Sequence, residues 1–430
     1  MAGEARNRRA FLKPLVLAGV VALVAVVGAL IWQAQGAGAA NITVNGTADV
    51  IADDGVCTLR EAITAANTEM ASGVTANECA AGSGADIITV PAGTYTLSIA
   101  GAGEDANATG DLDITADLTI TGGGQAITII DGGALDRVFE VNSGSTAEIS
   151  GLTIQDGLGG IFNGGTLILN SSTVSGNSVA GCCGGGIFTH GPGTLTLSNS
   201  TVTGNSAING GGGIHMLGST LVLNSSTVSG NSVANGDGGG ILNGGGTLTL
   251  TNSTVSGNMT SGDGDGAGIL NQGTLILRNS TISDNFGDGF GAGIYNSGGT
   301  VTLDNSTVSG NETPLAGGAI FNDNGSLTLN SSTVTGNTAV PVGGILNNSG
   351  VTTVKNTIIA NNATPDCAGD LTSAGYNLIE DAADFACTLN GDTTGNIIGS
   401  DPLLGPLADN GGPTETHALL AGSPAIDAGS

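Results

Sequence analysis

Leu248 and Leu250, set among threonines, alternate apolar and polar positions as a strand with one buried face does. A second short alternation follows, Ser253-Thr-Val-Ser256, which turns Val255 inward and Thr254 and Ser256 outward. A third short strand precedes both and carries the Ile of Gly238-Gly-Gly-Ile-Leu-Asn243. The unit then returns. Its Ile stands at 161, 187, 214, 241, 269, 294, 320 and 345, in steps of 25 to 28 residues. The Asn that ends each unit stands at 177, 205, 231, 258, 285, 311, 337 and 361. Self-similarity at this period marks a solenoid. No unit sustains a helical pattern, and Gly, Asn and Ser separate the apolar runs. The pattern predicts an all-β, single-stranded, right-handed parallel β-helix with three short strands per coil, each paired with its copy about 4.8 Å away.

Stacking gives each residue type a task. Leu167/Leu169, Leu195/Leu197, Leu221/Leu223, Leu248/Leu250, Leu275/Leu277 and Leu327/Leu329 form an inner ladder. Each buried Leu should contribute about 1.5–3 kcal/mol, and no coil could bury its own face alone. The terminal Asn is expected at a bend, bonding its own backbone and the Asn of the next coil. The Gly pairs supply φ > 0 at tight corners, which accounts for most of the 77 glycines. Outward, two hydroxyl ranks run over Thr173/Ser175, Thr201/Thr203, Thr227/Ser229, Thr254/Ser256, Thr281/Ser283, Thr307/Ser309 and Thr333/Thr335. Flat ranks of this kind can order water, as an ice-binding face does, and they equally suit any exposed strand.

Composition narrows the function. Net charge is −28, and beyond position 40 the only basic residues are Arg60, Arg137, Arg278 and Lys355. Nucleic acid is therefore excluded as a partner, because no cationic surface can replace its counterions. Asn7-Arg-Arg-Ala-Phe-Leu-Lys13 precedes an apolar run from Leu15 to Trp32 and the small residues Ala37-Gly-Ala-Ala40. Residues 1–40 thus read as an export signal or a retained N-terminal membrane anchor, with the acidic body outside the membrane. Residues 41–115 read as an N-terminal cap and first coil, 116–362 as the β-helix, and 363–430 as a C-terminal cap.

Cys57-Thr-Leu-Arg-Glu-Ala-Ile-Thr-Ala-Ala-Asn67 is expected to be a helix with Leu59, Ile63 and Ala66 on one face, closing the open end of the solenoid. The segment resembles the Cys-Ser-Leu-Arg-Glu-Ala cap of large bacterial surface β-helix proteins, with Thr58 for Ser. Asp366-Cys-Ala-Gly-Asp-Leu371 through Asp401-Pro-Leu-Leu-Gly-Pro406 to Gly422-Ser-Pro-Ala-Ile-Asp-Ala-Gly429 resembles the choice-of-anchor module that ends such proteins. The Gly-Gly-Ile units are more loosely similar to repeats of chlamydial polymorphic outer-membrane proteins. Arg8-Arg9-Ala-Phe-Leu-Lys resembles a twin-arginine signal, with Asn7 in place of the more usual Ser or Thr. These resemblances imply an exported bacterial protein, secreted or on the cell surface. An exported chain permits disulfides, and Cys57 with Cys79 and Cys367 with Cys387 each close a short loop within a cap. Cys182-Cys183 has no framework partner and reads as a vicinal bridge, a thiol pair or an intermolecular link. His190, His215 and His417 are scattered and no Cys-x-x-Cys exists, which argues against zinc.

The pectin-lyase-like scaffold also carries pectate lyases and polygalacturonases, so chemistry has to be weighed. A uronate lyase needs a base beside Ca²⁺. Arg278 and Lys355 fall in equivalent positions but three coils, about 14 Å, apart, and Asp304 one coil on makes an ion pair the simpler role for Arg278. A glycoside hydrolase needs paired carboxylates, which the regular coils lack. Beyond residue 40 there is no Trp, and only Tyr95, Tyr295 and Tyr376, so sugar-stacking platforms read as sparse. Asp237, Asp263, Asp265 and Asp288 fall in one corner of consecutive coils and are candidate Ca²⁺ ligands, although Asp-Gly is also a favoured turn pair. The reading is an exported, non-catalytic β-helix serving adhesion or an envelope-structural role. Its expected partner is an extracellular glycan or envelope component, with membrane contact only through the N-terminal segment and no cofactor except, at most, Ca²⁺. The alternative is a polysaccharide-active enzyme, a lyase or glycoside hydrolase, on the same scaffold.

Overall fold

The computed structural model describes residues 38–73, 78–363, 365–381 and 387–430. The basic and apolar stretch at 7–32 lies outside the described residues. Within them no helix is long and apolar enough to cross a membrane. Parallel strands stack in register, copy over copy, as the repeat requires. The Leu-x-Leu sheet pairs Leu167 with Leu195, then Leu221, Leu248 and Leu275. The Thr-Val-Ser sheet is thirteen strands deep, from Gly93–Thr96 to Ile397–Ile398. The third sheet aligns Ile161, Ile187, Ile214, Ile241 and Ile269. All of these Leu and Ile side chains, and the inward Val of each Thr-Val-Ser strand, are buried in one continuous core.

Two features depart from the expected plan. Coils between Ser178 and Thr260 carry a fourth short strand, Ser178–Cys182, Ser206–Asn209, Ser232–Val233 and Met259–Thr260. Parallel pairing also continues past 362, through Cys367–Ala374, Cys387–Asp392 and Ile397–Ile398.

The core is lined at its corners by polar ladders. Asn177 Nδ2 donates to Asn205 Oδ1 at 2.9 Å, and the same bond repeats through Asn231, Asn258, Asn285, Asn311 and Asn337 at 2.8–3.0 Å. Each Oδ1 also accepts the backbone N–H of the preceding Asn. The last rung is Asn362 rather than Asn361: Asn337 Nδ2 donates to Asn362 Oδ1 at 2.8 Å, whereas Asn361 is exposed with φ of 57°. Asp366 ends the ladder, its Oδ1 accepting both from Asn362 Nδ2 and from Asn362 N. A carboxylate accepts without having to donate onward, which is what a final rung needs. A second ladder, not anticipated from the sequence, joins Asn243, Asn271, Asn296, Asn322 and Asn347 at 2.7–2.8 Å. Ser200, Ser226, Ser253 and Ser280 form a third, each hydroxyl accepting the backbone N–H of the Ser one coil earlier.

The glycines serve these ladders in two ways. Gly238 has φ of 67°, the left-handed turn that opens the corner. Gly240 is needed for space: a methyl there would lie 2.6 Å from Gly268 O and 2.9 Å from Asn258 Nδ2.

A helix covers the N-terminal end. The helix Leu59–Thr68 begins on a capping box, in which the Thr58 hydroxyl accepts from Glu61 N and the Glu61 carboxylate accepts from Thr58 N. Leu59, Ile63 and Ala66 are buried, as the pattern requires. Arg60 is buried as well; its Nε lies 2.7 Å from Asp49 Oδ1, and its guanidinium donates to Gly110 O and Asp111 O. Both expected disulfides are present, Cys57–Cys79 and Cys367–Cys387, with Cα atoms 5.0 and 5.2 Å apart. At the far end an antiparallel hairpin, Leu404–Ala408 with Thr416–Leu419, folds back onto the Thr-Val-Ser sheet. Thr281 Oγ1 donates to Glu415 O at 2.8 Å, and His417 Nε2 meets Ser309 Oγ at 2.9 Å. The expected seven-coil hydroxyl face is therefore interrupted. Thr281, Ser283, Thr307, Ser309 and Thr335 are buried, and both ranks stay half-open only from Thr173 to Ser256.

Candidate functional site

In each Ile-x-Asn strand the middle residue points away from the core. Register sets these residues in one column: Asp113, Glu140, Phe162, Phe188, His215, Leu242, Leu270, Tyr295, Phe321 and Leu346. The rings touch. Phe162 and Phe188 have centroids 5.4 Å apart, Phe188 meets His215 at 5.2 Å, and His190 packs on both phenylalanines at 4.8 and 5.6 Å. Further along, Tyr295 lies 5.3 Å from Phe321 at an interplanar angle of 7°, and Phe290 stacks on Phe321 at 5.0 Å. The Arg137 guanidinium sits 4.6 Å over the Phe162 ring. Aromatic rings on this face, read as sparse from the count of Trp and Tyr, come mainly from phenylalanines. The signal was present in the Phe that follows Ile161, Ile187 and Ile320.

The stripe ends at its N-terminal side in acid. Carboxylate oxygens of Asp105, Asp113 and Glu140 lie within 4.8 Å of one another, the one such group of three side chains able to hold a metal among the described residues. Asp111 lies 3.8 Å from Arg137, which also pairs with Glu140. Burial, with Asp113 and Asp136 nearby, pushes the Asp111 carboxyl up to about 7. Burial likewise raises Asp113 to about 6 and lifts Glu140, where Arg137 opposes the shift. At the other side of the stripe, burial raises Asp265 to about 6 and Tyr295 to about 12.

Two of the four aspartates singled out from the sequence, Asp237 and Asp265, have structural partners. Asp237 Oδ1 accepts from Asp265 N at 2.9 Å, and Asp265 Oδ1 accepts from Phe290 N at 2.6 Å, so each carboxylate ties its corner to the next coil. Asp263 takes φ of 67° in its turn, and Asp288 follows on the loop after Gly287. Arg278 and Asp304 stand in register, 4.0 Å apart and well exposed, the ion pair that the spacing suggested. Lys355 pairs in register with Asn330, one coil beyond Asp304.

The family described as Right handed beta helix region matches residues 117–255, 164–339 and 241–398, which together span more than half of the chain. The chain belongs to the right-handed β-helix family. Among solved structures this β-helix is similar to the mannuronan C-5 epimerase AlgE4 A-module of Azotobacter vinelandii, at 14% identity over 73% of this chain and 88% of that one, with a TM-score of 0.48. It is also similar to pectate lyase Pel9A, at 13% identity over 85% of this chain and 81% of that one, with a TM-score of 0.37. No curated protein matches the sequence.

Proposed function

We propose that this β-helix is an exported, non-catalytic surface protein that binds an extracellular glycan along the outer face of its Ile-x-Asn sheet. The observation that carries the reading is the column of touching rings, Phe162, Phe188 and His215, continued by Tyr295 and Phe321. The half-buried rings of Phe162, Phe188 and His215 are tilted against one another by 60° and 63°, and Tyr295 lies parallel to the buried Phe321, so the column offers apolar ring surface against which pyranose rings can pack. Two disulfides are consistent with export, because they persist in oxidising compartments. A glycan array followed by affinity measurement tests the reading: Phe188→Ala should raise Kd about tenfold, the loss of about 1.4 kcal/mol. Unchanged binding by Phe162→Ala and Phe188→Ala would sink it.

A second reading makes the same face catalytic, as a polysaccharide-active enzyme. The observation favouring it is the Asp111, Asp113 and Glu140 group beside Arg137, where the Asp111 and Asp113 carboxyls are raised to about 7 and about 6, the range of a general acid. Incubation with polyuronates, with and without Ca²⁺, separates the two. New unsaturated or reducing ends would establish the enzyme, and their absence with intact binding supports the non-catalytic role.

A further inference from the structure

The acidic end of the stripe is built for a ligand of its own. Five carboxylates, from Asp105, Asp111, Asp113, Asp136 and Glu140, lie near enough to act on one another's charge, and the one guanidinium among them, that of Arg137, is already engaged by Glu140 and Asp111. Asp113 is wholly buried, and its Oδ1 has no hydrogen-bond partner, while its Oδ2 accepts from Asn107 N at 2.8 Å. Asp111 Oδ2, also without a hydrogen-bond donor, differs in facing the Arg137 guanidinium at 3.8 Å. Carboxylate oxygens withdrawn from water without a donor are costly, and a cation is the partner that meets several at once.

We propose that Asp105, Asp113 and Glu140 bind one Ca²⁺ ion. Their ligand atoms all fall within 4.8 Å of one another. Two oxygens on opposite sides of one Ca²⁺ are separated by about that distance, from bonds of about 2.4 Å. The group offers oxygen alone, with no His or Cys, which selects a hard cation over zinc. Asp105 stands on the loop that precedes the first strand of this sheet, Leu112–Ile114, whereas Asp113 and Glu140 stand on that strand and the next, in register. The ion therefore ties this loop to two successive coils at the point where the aromatic stripe begins. This site is separate from the corner of Asp237, Asp263, Asp265 and Asp288, and it holds whether the stripe binds glycan or acts on it.

Equilibrium dialysis of the full chain against radioactive Ca²⁺, at about 0.15 M salt to screen loose surface binding, tests the site. One Ca²⁺ per chain should be retained with Kd of about 1 mM or tighter, in the range of extracellular modules. Asp105→Asn and Asp113→Asn should each weaken it at least tenfold, while Asp409→Asn, on the C-terminal hairpin, should leave it unchanged. Asp105 is exposed, so its variant folds as the parent does and keeps the test decisive if Asp113→Asn does not. Amide hydrogen exchange across 98–115 should slow on adding Ca²⁺ in the parent and stay unaltered in Asp105→Asn. Equal retention by parent and both site variants would mark adventitious surface binding and overturn the site. Displacement by equimolar Mg²⁺ would overturn the choice of metal.

Discussion

At the scale of single residues, the buried amides carry the clearest energetic demand. Asn258 Oδ1 accepts from both Asn231 Nδ2 and Asn231 N, and its own Nδ2 donates to Asn285. Each bond contributes only about 0.5–1.5 kcal/mol net, but an orphaned buried donor costs about 1–3 kcal/mol. Asn258→Ala orphans two donors on Asn231, so it should lower stability by about 3 kcal/mol or more, read as a shifted urea midpoint. His215 gives a pH prediction. Burial lowers its pKa to about 4 from 6.5, and its Nδ1 has no hydrogen-bond partner. Between those values the unfolded chain binds the extra proton, so stability is lost as pH falls through that window. His215→Phe should therefore shrink the drop in melting temperature between pH 7 and pH 5; an undiminished drop would refute the assignment. His417 shows the same residue type in a satisfied setting: Nδ1 lies 2.7 Å from Gly405 O and so donates, leaving Nε2 to accept from the Ser309 hydroxyl.

Among the elements, the N-terminal helix shows why its motif has the residues it does. Thr58 and Glu61 close the capping box, and Arg60 passes beneath the helix to Asp49 and to two carbonyls of the coil below. Burial pushes the Asp49 carboxyl up, but the Arg60 bond and the amides of Ser98 and Ile99 outweigh it and hold the carboxyl below its ordinary value. Removing one partner of such a buried pair costs about 3–5 kcal/mol. Arg60→Ala should accordingly open the cap, seen as faster proteolysis between residues 41 and 70 at a temperature where the later coils stay folded. The helix and its apolar face were legible in the sequence, because capping and periodicity are local. The destination of Arg60 was not: its partners come from turns 11 to 51 residues away. The ring column was hidden for a related reason. Its positions hold Asp, Glu, Phe, Phe, His, Leu, Leu, Tyr, Phe and Leu, so repetition of residue type, which exposed the Ile and Leu ladders, is absent there. The acidic group required both register and a loop to meet, and no spacing within the chain announces that.

For the molecule as a whole, the parallel helix with its inner ladders followed from the period alone, since stacking is what a fixed repeat means in space. The end of the chain did not follow. The hairpin contacts Thr281 from residues 133 and 134 positions later, and it converts three coils of open hydroxyls into an interface. Deleting residues 400–430 should expose Thr281, Ser283, Thr307 and Ser309, with faster amide exchange in those strands and none of that change near Thr201. The first asparagine ladder, finally, has a direction. It receives a proton donor from Gly157 N at one end and stops at the Asp366 carboxylate at the other, with every side-chain amide oriented the same way. Such a series tolerates a change of length only in whole steps. Excision of residues 232–258 would splice Asn231 to Met259 and hand its amide to Asn285 with the hydrogen bonding intact, whereas removing half that stretch would strand an amide on each side of the cut. The protein's length is in this sense quantised, and its lineage is free to lengthen or shorten the rod by duplication or loss of single units.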